Sequence, residues 1–146
     1  MLSATAAHAV RALLCLTRRP SDGPILARDL SACAQVPMSY LSKVLAALAR
    51  AGILQAARGI NGGYRLARSP AEITLFEVVE LFDGAQNELQ CVLGPFHRCS
   101  DEDPCPAHGR WQAVRDEYLR FLRTVTLADL RGPLPWAGAS PVGGGG

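Results

Sequence analysis

A glycine-rich string, Arg58-Gly59-Ile60-Asn61-Gly62-Gly63, stands between two short strand-like runs, residues 53–57 and 64–66. Asn-Gly is among the strongest hairpin signals because both residues tolerate positive φ. A tight hairpin here constrains what precedes it. Residues 38–51 form a predicted helix, with Pro37 at its start and Gly52 as its C-terminal cap. Leu41, Val44, Leu45 and Leu48 fall at i, i+3, i+4 and i+7 and make its buried stripe. Ser39, Tyr40, Ser42, Lys43 and Arg50 fall largely on the other side. A shorter helix over 25–34, with Leu26, Leu30 and Cys33 on one face, reaches it through the break Gln35-Val36-Pro37. Two helices joined by a short turn, the second polar and basic outside, describe a helix-turn-helix. A hairpin directly after it reads as a wing.

The remaining chain supplies supporting helices. Residues 4–16 read as a helix with Val10, Leu13, Leu14 and Leu16 on its apolar face, and residues 20–24 as a turn. Ile73-Thr74 opens another helix, with Thr74 and Glu77 as a capping box, and Gly84 stops it. Leu75, Val78, Val79 and Phe82 form its inner face. A longer helix over 109–125 places Trp111, Val114, Tyr118, Phe121, Leu122 and Val125 at helical spacing. That face is more aromatic than a small winged-helix core needs, so it is expected to pair with a second copy. Residues 126–130 add a capped turn. From Gly132 the chain is rich in Pro and Gly and is expected to be disordered. The expected fold is mainly α with a small β-wing. A winged helix-turn-helix domain over 1–84 is followed by a cysteine-rich loop over 85–108, a long C-terminal dimerisation helix over 109–131 and a tail over 132–146.

Charge is unevenly distributed. Residues 1–70 hold nine Arg and Lys against Asp22 and Asp29, a balance of +7, while residues 71–146 balance at −5. A basic first half is the electrostatic footprint of a polyanion binder. Together with a helix-turn-helix and a wing it points to double-stranded DNA. Arg58 and Arg65 flank the wing tip, where phosphate and minor-groove contacts fall. Ser39, Tyr40 and Lys43 are candidates to face bases or phosphates, and Arg28, Arg58 and Arg65 to position on phosphates. No stretch of about 18 uncharged apolar residues is present, so no membrane span is expected. Arg11 interrupts the apolar N-terminal segment, where an export signal would be uncharged. A cytoplasmic protein is expected, whose thiols stay reduced.

The segment from Cys91 to His108 gathers Cys91, Cys99, Cys105, His97 and His108 around Gly94, Pro95, Pro104 and Pro106. The prolines and glycine argue against one regular element there, and a loop can turn several thiolates toward one point. Such clustering suits a thiophilic metal ion or an iron–sulfur cluster. Cys15 and Cys33 lie on apolar helix faces and read as core residues.

The wing string from Arg58 through Arg68 resembles the signature of the IscR/NsrR/CymR-type winged-helix regulators, the Rrf family. Tyr40-Leu41-Ser42-Lys43-Val44-Leu45 and Leu48-Ala49-Arg50-Ala51-Gly52 are similar to that family's recognition helix. Ile73-Thr74-Leu75-Phe76-Glu77-Val78, the cysteine loop, Trp111 and Thr126-Leu127-Ala128-Asp129-Leu130 also fall where the family has them, so the resemblance covers about residues 1–130. It implies Asn61 and Gly62 as part of the DNA-contacting wing. It also implies a homodimeric transcription factor, usually a repressor of palindromic operators. Its iron–sulfur cluster, 2Fe-2S or 4Fe-4S, would make DNA affinity follow iron, nitric oxide or redox state. Cys91, Cys99 and Cys105 map onto three cluster ligands. Seven residues separate the first pair where the family commonly has five, and five separate the second pair, as in the family. Doubling a loop costs only about 0.6 kcal/mol, so the longer loop can still close.

The fourth ligand is expected at His108, three residues after Cys105 as in the IscR branch, with His8 second and His97 third. In the NsrR branch a carboxylate near the partner's N-terminus serves. The matching position here is Ala7, and a shift to His8 turns a helical side chain by about 100°. Rival readings are a regulator holding zinc in a closed Cys3His site, a metal-free one acting by thiol oxidation, and one acting through a partner protein. No Ser/His/Asp arrangement, phosphate loop or paired-carboxylate site stands out, so an enzyme is not expected.

Overall fold

The structure is a computed structural model that describes residues 2–18, 23–60, 62–84, 91–93 and 99–136. The turn at 20–22, Asn61, His97 and residues 137–146 lie outside the described residues. Five α-helices are described, α1 (Ala4–Thr17), α2 (Ala27–Ala34), α3 (Met38–Arg50), α4 (Leu75–Asp83) and α5 (His108–Thr124), with one 3-10 turn at Pro70–Glu72. Between α3 and α4 lies an antiparallel hairpin of β1 (Leu54–Ala57) and β2 (Gly63–Leu66), paired from Leu54 opposite Leu66 to Ala57 opposite Gly63. This is the mainly helical winged helix that the pattern predicts.

Local chemistry sets most of the boundaries. Ser3 caps α1 by accepting from the Ala6 N–H at 3.1 Å. The backbone N–H of Ser3 in turn donates to Asp83 at 2.9 Å, which ties the start of α1 to the end of α4. Asp83 is only 9% exposed, and these donors satisfy its carboxylate. Thr74 caps α4 through the Glu77 N–H, 3.2 Å. The expected capping box is only half made, because the Glu77 carboxylate pairs with Arg68 instead.

The start of α2 differs from expectation. Ile25 and Leu26 precede the helix, and Ile25 exchanges two backbone hydrogen bonds of 2.8 Å with Tyr64. It thus adds a third short edge to the wing hairpin. Gly63 makes this approach possible. Its φ is +138°, and a Cβ there would lie 2.2 Å from the Ile25 carbonyl oxygen.

Leu13, Leu30, Leu41, Leu45, Leu48 and Ile53 are fully buried where α1, α2, α3 and the hairpin converge. A second apolar cluster joins Leu75 and Val79 of α4 to Leu122 of α5. The segment after α5 returns to the first core. Leu75 donates to Val125, Leu127 donates to Ile73, and Leu127 is fully buried. Order also extends past Gly132, where disorder was expected: Leu134 is 7% exposed and Trp136 packs against the core. A leucine and a tryptophan among the prolines outweigh the composition.

The core positions of Cys15 and Cys33 are as expected, but their chemical state differs. The two are joined as a disulfide, with Cα atoms 6.2 Å apart. The contact arises from the packing of α1 on α2, which 18 residues of sequence separation do not reveal.

Candidate metal centre and DNA-reading surface

The thiol loop closes on the N-terminus of α5. The Cys91, Cys99 and Cys105 sulfurs lie within 4.8 Å of one another. Cys91 Sγ is 3.3 Å from Cys105 Sγ, and the Cys105 N–H donates to Cys99 Sγ at 3.3 Å. All three cysteines are half-buried and free. His108 is the first residue of α5, and its own N–H donates to the Cys105 carbonyl at 3.0 Å. This turn brings His108 Nδ1 to 3.0 Å from Cys99 Sγ. Three sulfurs therefore converge, and one imidazole nitrogen stands beside the Cys99 sulfur. Sulfurs about 2.3 Å from one tetrahedral ion lie about 3.8 Å apart, so the donors suit a thiophilic ion or cluster with small side-chain adjustments.

Asp101, which the sequence reading passed over, completes the arrangement. Its Oδ1 lies 2.8 Å from His108 Nε2. A carboxylate on one ring nitrogen fixes the tautomer that leaves the other free to ligate. The available clue was an acidic residue between the second and third cysteines, but Glu102 and Asp103 share that property.

His8 is elsewhere. Its Nδ1 accepts from Arg11 Nη2 at 2.6 Å, and its ring meets Tyr40 edge-on at 5.1 Å between centroids. Burial, with help from the Arg11 charge, lowers its pKa below the ordinary 6.5. Within one chain His8 belongs to the α1–α3 contact and not to the thiol group.

On the outer surface of α3, Ser39 and Lys43 are exposed. Tyr40 is 38% exposed, and its hydroxyl contacts Thr5 of α1. Arg28, Arg58 and Arg65 are exposed, with Arg65 Nε donating to Gln55 at 2.9 Å across the hairpin. Gly62 is buried in the wing turn, where a Cβ would come within 2.6 Å of the Ala57 carbonyl oxygen. Among the described residues no helix is long and apolar enough to cross a membrane.

A winged helix whose third helix is exposed beside a basic hairpin defines a DNA-binding protein of the helix-turn-helix class. The Rrf2 family model, described as iron-dependent transcriptional regulator, matches residues 2–132, and the chain belongs to that family. It is a transcriptional regulator and not an enzyme. A protein of Aquifex aeolicus (strain VF5) is 31% identical over 111 residues, 75% of this chain and 76% of that protein. The HTH-type transcriptional regulator IscR of Escherichia coli O1:K1 is 28% identical over 129 residues, 88% of this chain and 78% of that protein. The fold is shared with CymR (YrzC), the global cysteine regulator of B. subtilis, at a TM-score of 0.73 and 24% identity, covering 89% of this chain and 95% of that one.

Proposed function

We propose that the chain is a homodimeric repressor of a palindromic operator, whose affinity is controlled by an iron–sulfur cluster held by Cys91, Cys99, Cys105 and His108. The observation that carries this reading is the convergence of three thiol sulfurs within 4.8 Å, with the His108 imidazole 3.0 Å from one of them. When bound, such a cluster supplies a centre that iron supply, nitric oxide or redox state can alter.

The protein's part is to carry loop order to the DNA-reading surface. Closing the four donors on one centre would hold Cys91, Cys99 and Cys105 against the first turn of α5. Helix α5 packs on α4 through Leu122, Leu75 and Val79. Helix α4 packs on α1, and α1 on α2 and α3. A tilt of α5 in a dimer therefore changes the separation of the two recognition helices. Half-sites one helical turn apart tolerate little error in that separation. A coupling of ~1–3 kcal/mol changes DNA affinity about 5- to 150-fold. Ser39, Tyr40, Lys43, Arg28, Arg58 and Arg65 supply the polar contacts, with Gly62 of the wing turn and its chain neighbour Asn61 as further candidates. A cytoplasmic location suits a DNA partner and the free thiols.

The test is visible absorption of anaerobically purified protein, with iron, sulfide and zinc determined on the same sample. Equal iron and sulfide, with charge-transfer absorption lost in Cys91→Ala, Cys99→Ala and Cys105→Ala, is the expected result. The closeness of the sulfurs also favours a second reading, one zinc ion in a closed Cys3His site. Colourless protein with one zinc per chain would establish that reading. Protein that takes up neither metal on reconstitution would leave a regulator governed by thiol oxidation or a partner.

A further inference from the structure

Of the five cysteines, two have no part in the proposed centre. Cys15 sits on α1 in the main core, 4% exposed, and Cys33 sits half-buried in the last turn of α2. In the bonded state their Cα atoms are 6.2 Å apart, inside the range a disulfide spans. A second tie lies beside it, because Arg11 of α1 donates to the carbonyl of Ala34, the residue after Cys33, at 3.0 Å. The pair spans the joint between the first helix of the helix-turn-helix and α1, the element that also packs on α4.

We propose that Cys15 and Cys33 form a reversible dithiol site, oxidised by hydroperoxides, that acts on the DNA-reading unit independently of the centre at Cys91, Cys99 and Cys105. The asymmetry of burial assigns the roles. Half-buried Cys33 meets the oxidant: its sulfur attacks one peroxide oxygen, the O–O bond breaks, and a sulfenic acid and water (or the corresponding alcohol) form. Core-held Cys15 then attacks the Cys33 sulfur, the S–S bond forms, and the sulfenic oxygen leaves as a second water. Two thiol hydrogens and two electrons are thus lost to the peroxide. A small-molecule dithiol reverses the step, becoming oxidised as the bond is reduced. Closure fixes α2 on α1 in the arrangement the fold already has. A reading unit held in that arrangement loses less freedom on docking, so the oxidised form binds DNA more tightly.

The experiment uses the full chain, reduced and desalted, then treated with a small excess of hydrogen peroxide, alkylated and mapped by peptide mass spectrometry. The expected product is a 15–33 cross-link that dithiothreitol reopens in the folded protein and that Cys33→Ser and Cys15→Ser both lack. Separately alkylated Cys15 and Cys33 after peroxide, over-oxidation of Cys33 without a cross-link, or a bond that dithiothreitol leaves intact would each overturn the proposal. DNA affinity is then compared in the Cys91→Ser/Cys99→Ser/Cys105→Ser chain, which isolates the pair from the proposed centre, using a duplex selected by the protein from a random pool. Oxidation is expected to tighten binding by about fivefold. Equal or weaker binding of the oxidised form would overturn its regulatory half. Should that variant fail to fold, the same comparison in metal-free wild type against Cys33→Ser decides it, since only wild type is then expected to respond through this pair.

Discussion

Asp101 shows how one exposed side chain can matter without stabilising the fold. Its carboxylate is 81% exposed, so its pairing with His108 is worth at most about 1 kcal/mol of stability. Its consequence lies in orientation, because it occupies Nε2 and leaves Nδ1 facing Cys99. Asp101→Ala is therefore expected to weaken metal uptake at the proposed centre about 10- to 100-fold with little change in melting temperature. Competition with a chromogenic chelator measures the first and circular dichroism the second; unchanged affinity would reduce Asp101 to a surface neighbour. His8 offers a contrasting case. Its folded pKa is depressed, by burial first and by Arg11 second, so the unfolded chain binds the proton more readily. Its contribution is complete above the unfolded value of about 6.5 and is lost as pH falls from there through the folded pKa. Wild type should lose more stability between pH 7 and pH 5 than His8→Gln, as read from paired urea titrations. Equal pH slopes would show that His8 protonation is not linked to the α1–α3 contact.

Helix α5 divides its apolar residues between two tasks. Leu122 is fully buried against Leu75 and Val79, whereas Val114 and Phe121 are 49% and 46% exposed, and Leu81 of α4 is 40% exposed. The inner task is folding: Leu122→Ala should cost about 2–5 kcal/mol. We assign the outer task to the second copy of the chain. Phe121→Glu is expected to leave the helical spectrum intact, shift sedimentation to the monomer and weaken operator binding at least ~10-fold, because a monomer reads one half-site. A Phe121→Glu dimer would move the interface elsewhere. The two roles also explain what could be read from the sequence. Period and caps placed α1, α3, α4 and α5 to within a few residues, since each carries its own stripe and stop. Ile25 defeated that logic, because its backbone partner is Tyr64, 39 positions away in sequence. The Cys15–Cys33 bond and the Ser3–Asp83 tie are equally non-local. The gathering of the three thiols was legible, since cysteines clustered in a proline-broken loop can turn toward one point. Asp101 was not, because three neighbouring acidic residues look alike until His108 selects one.

For the whole molecule, the decisive quantity is where the charge sits and not how much there is. A net charge of +2 would suggest weak attraction to DNA, yet residues 1–70 carry a balance of +7 and hold α3 and the wing. The acidity of the remainder lies in α4, with Glu77, Glu80 and Asp83, and in the thiol loop, with Asp101, Glu102 and Asp103, so residues 1–70 form the cationic part presented to phosphate. Exposed Arg28, Lys43, Arg58 and Arg65 all lie in that half. Each phosphate neutralised releases counterions, giving a slope of about −0.9 per contact in log affinity against log salt. A dimer using even two such residues per chain should therefore show a slope of about −3.6, steeper than its modest net charge suggests. Arg58→Ala removes two contacts from a dimer, one per wing, and should flatten the slope by about 1.8. It should weaken binding to selected and unrelated duplexes alike, because a phosphate contact carries no base information. Fluorescence anisotropy across a salt series decides the point. An unchanged slope with lost discrimination between duplexes would instead place Arg58 against base edges in the minor groove.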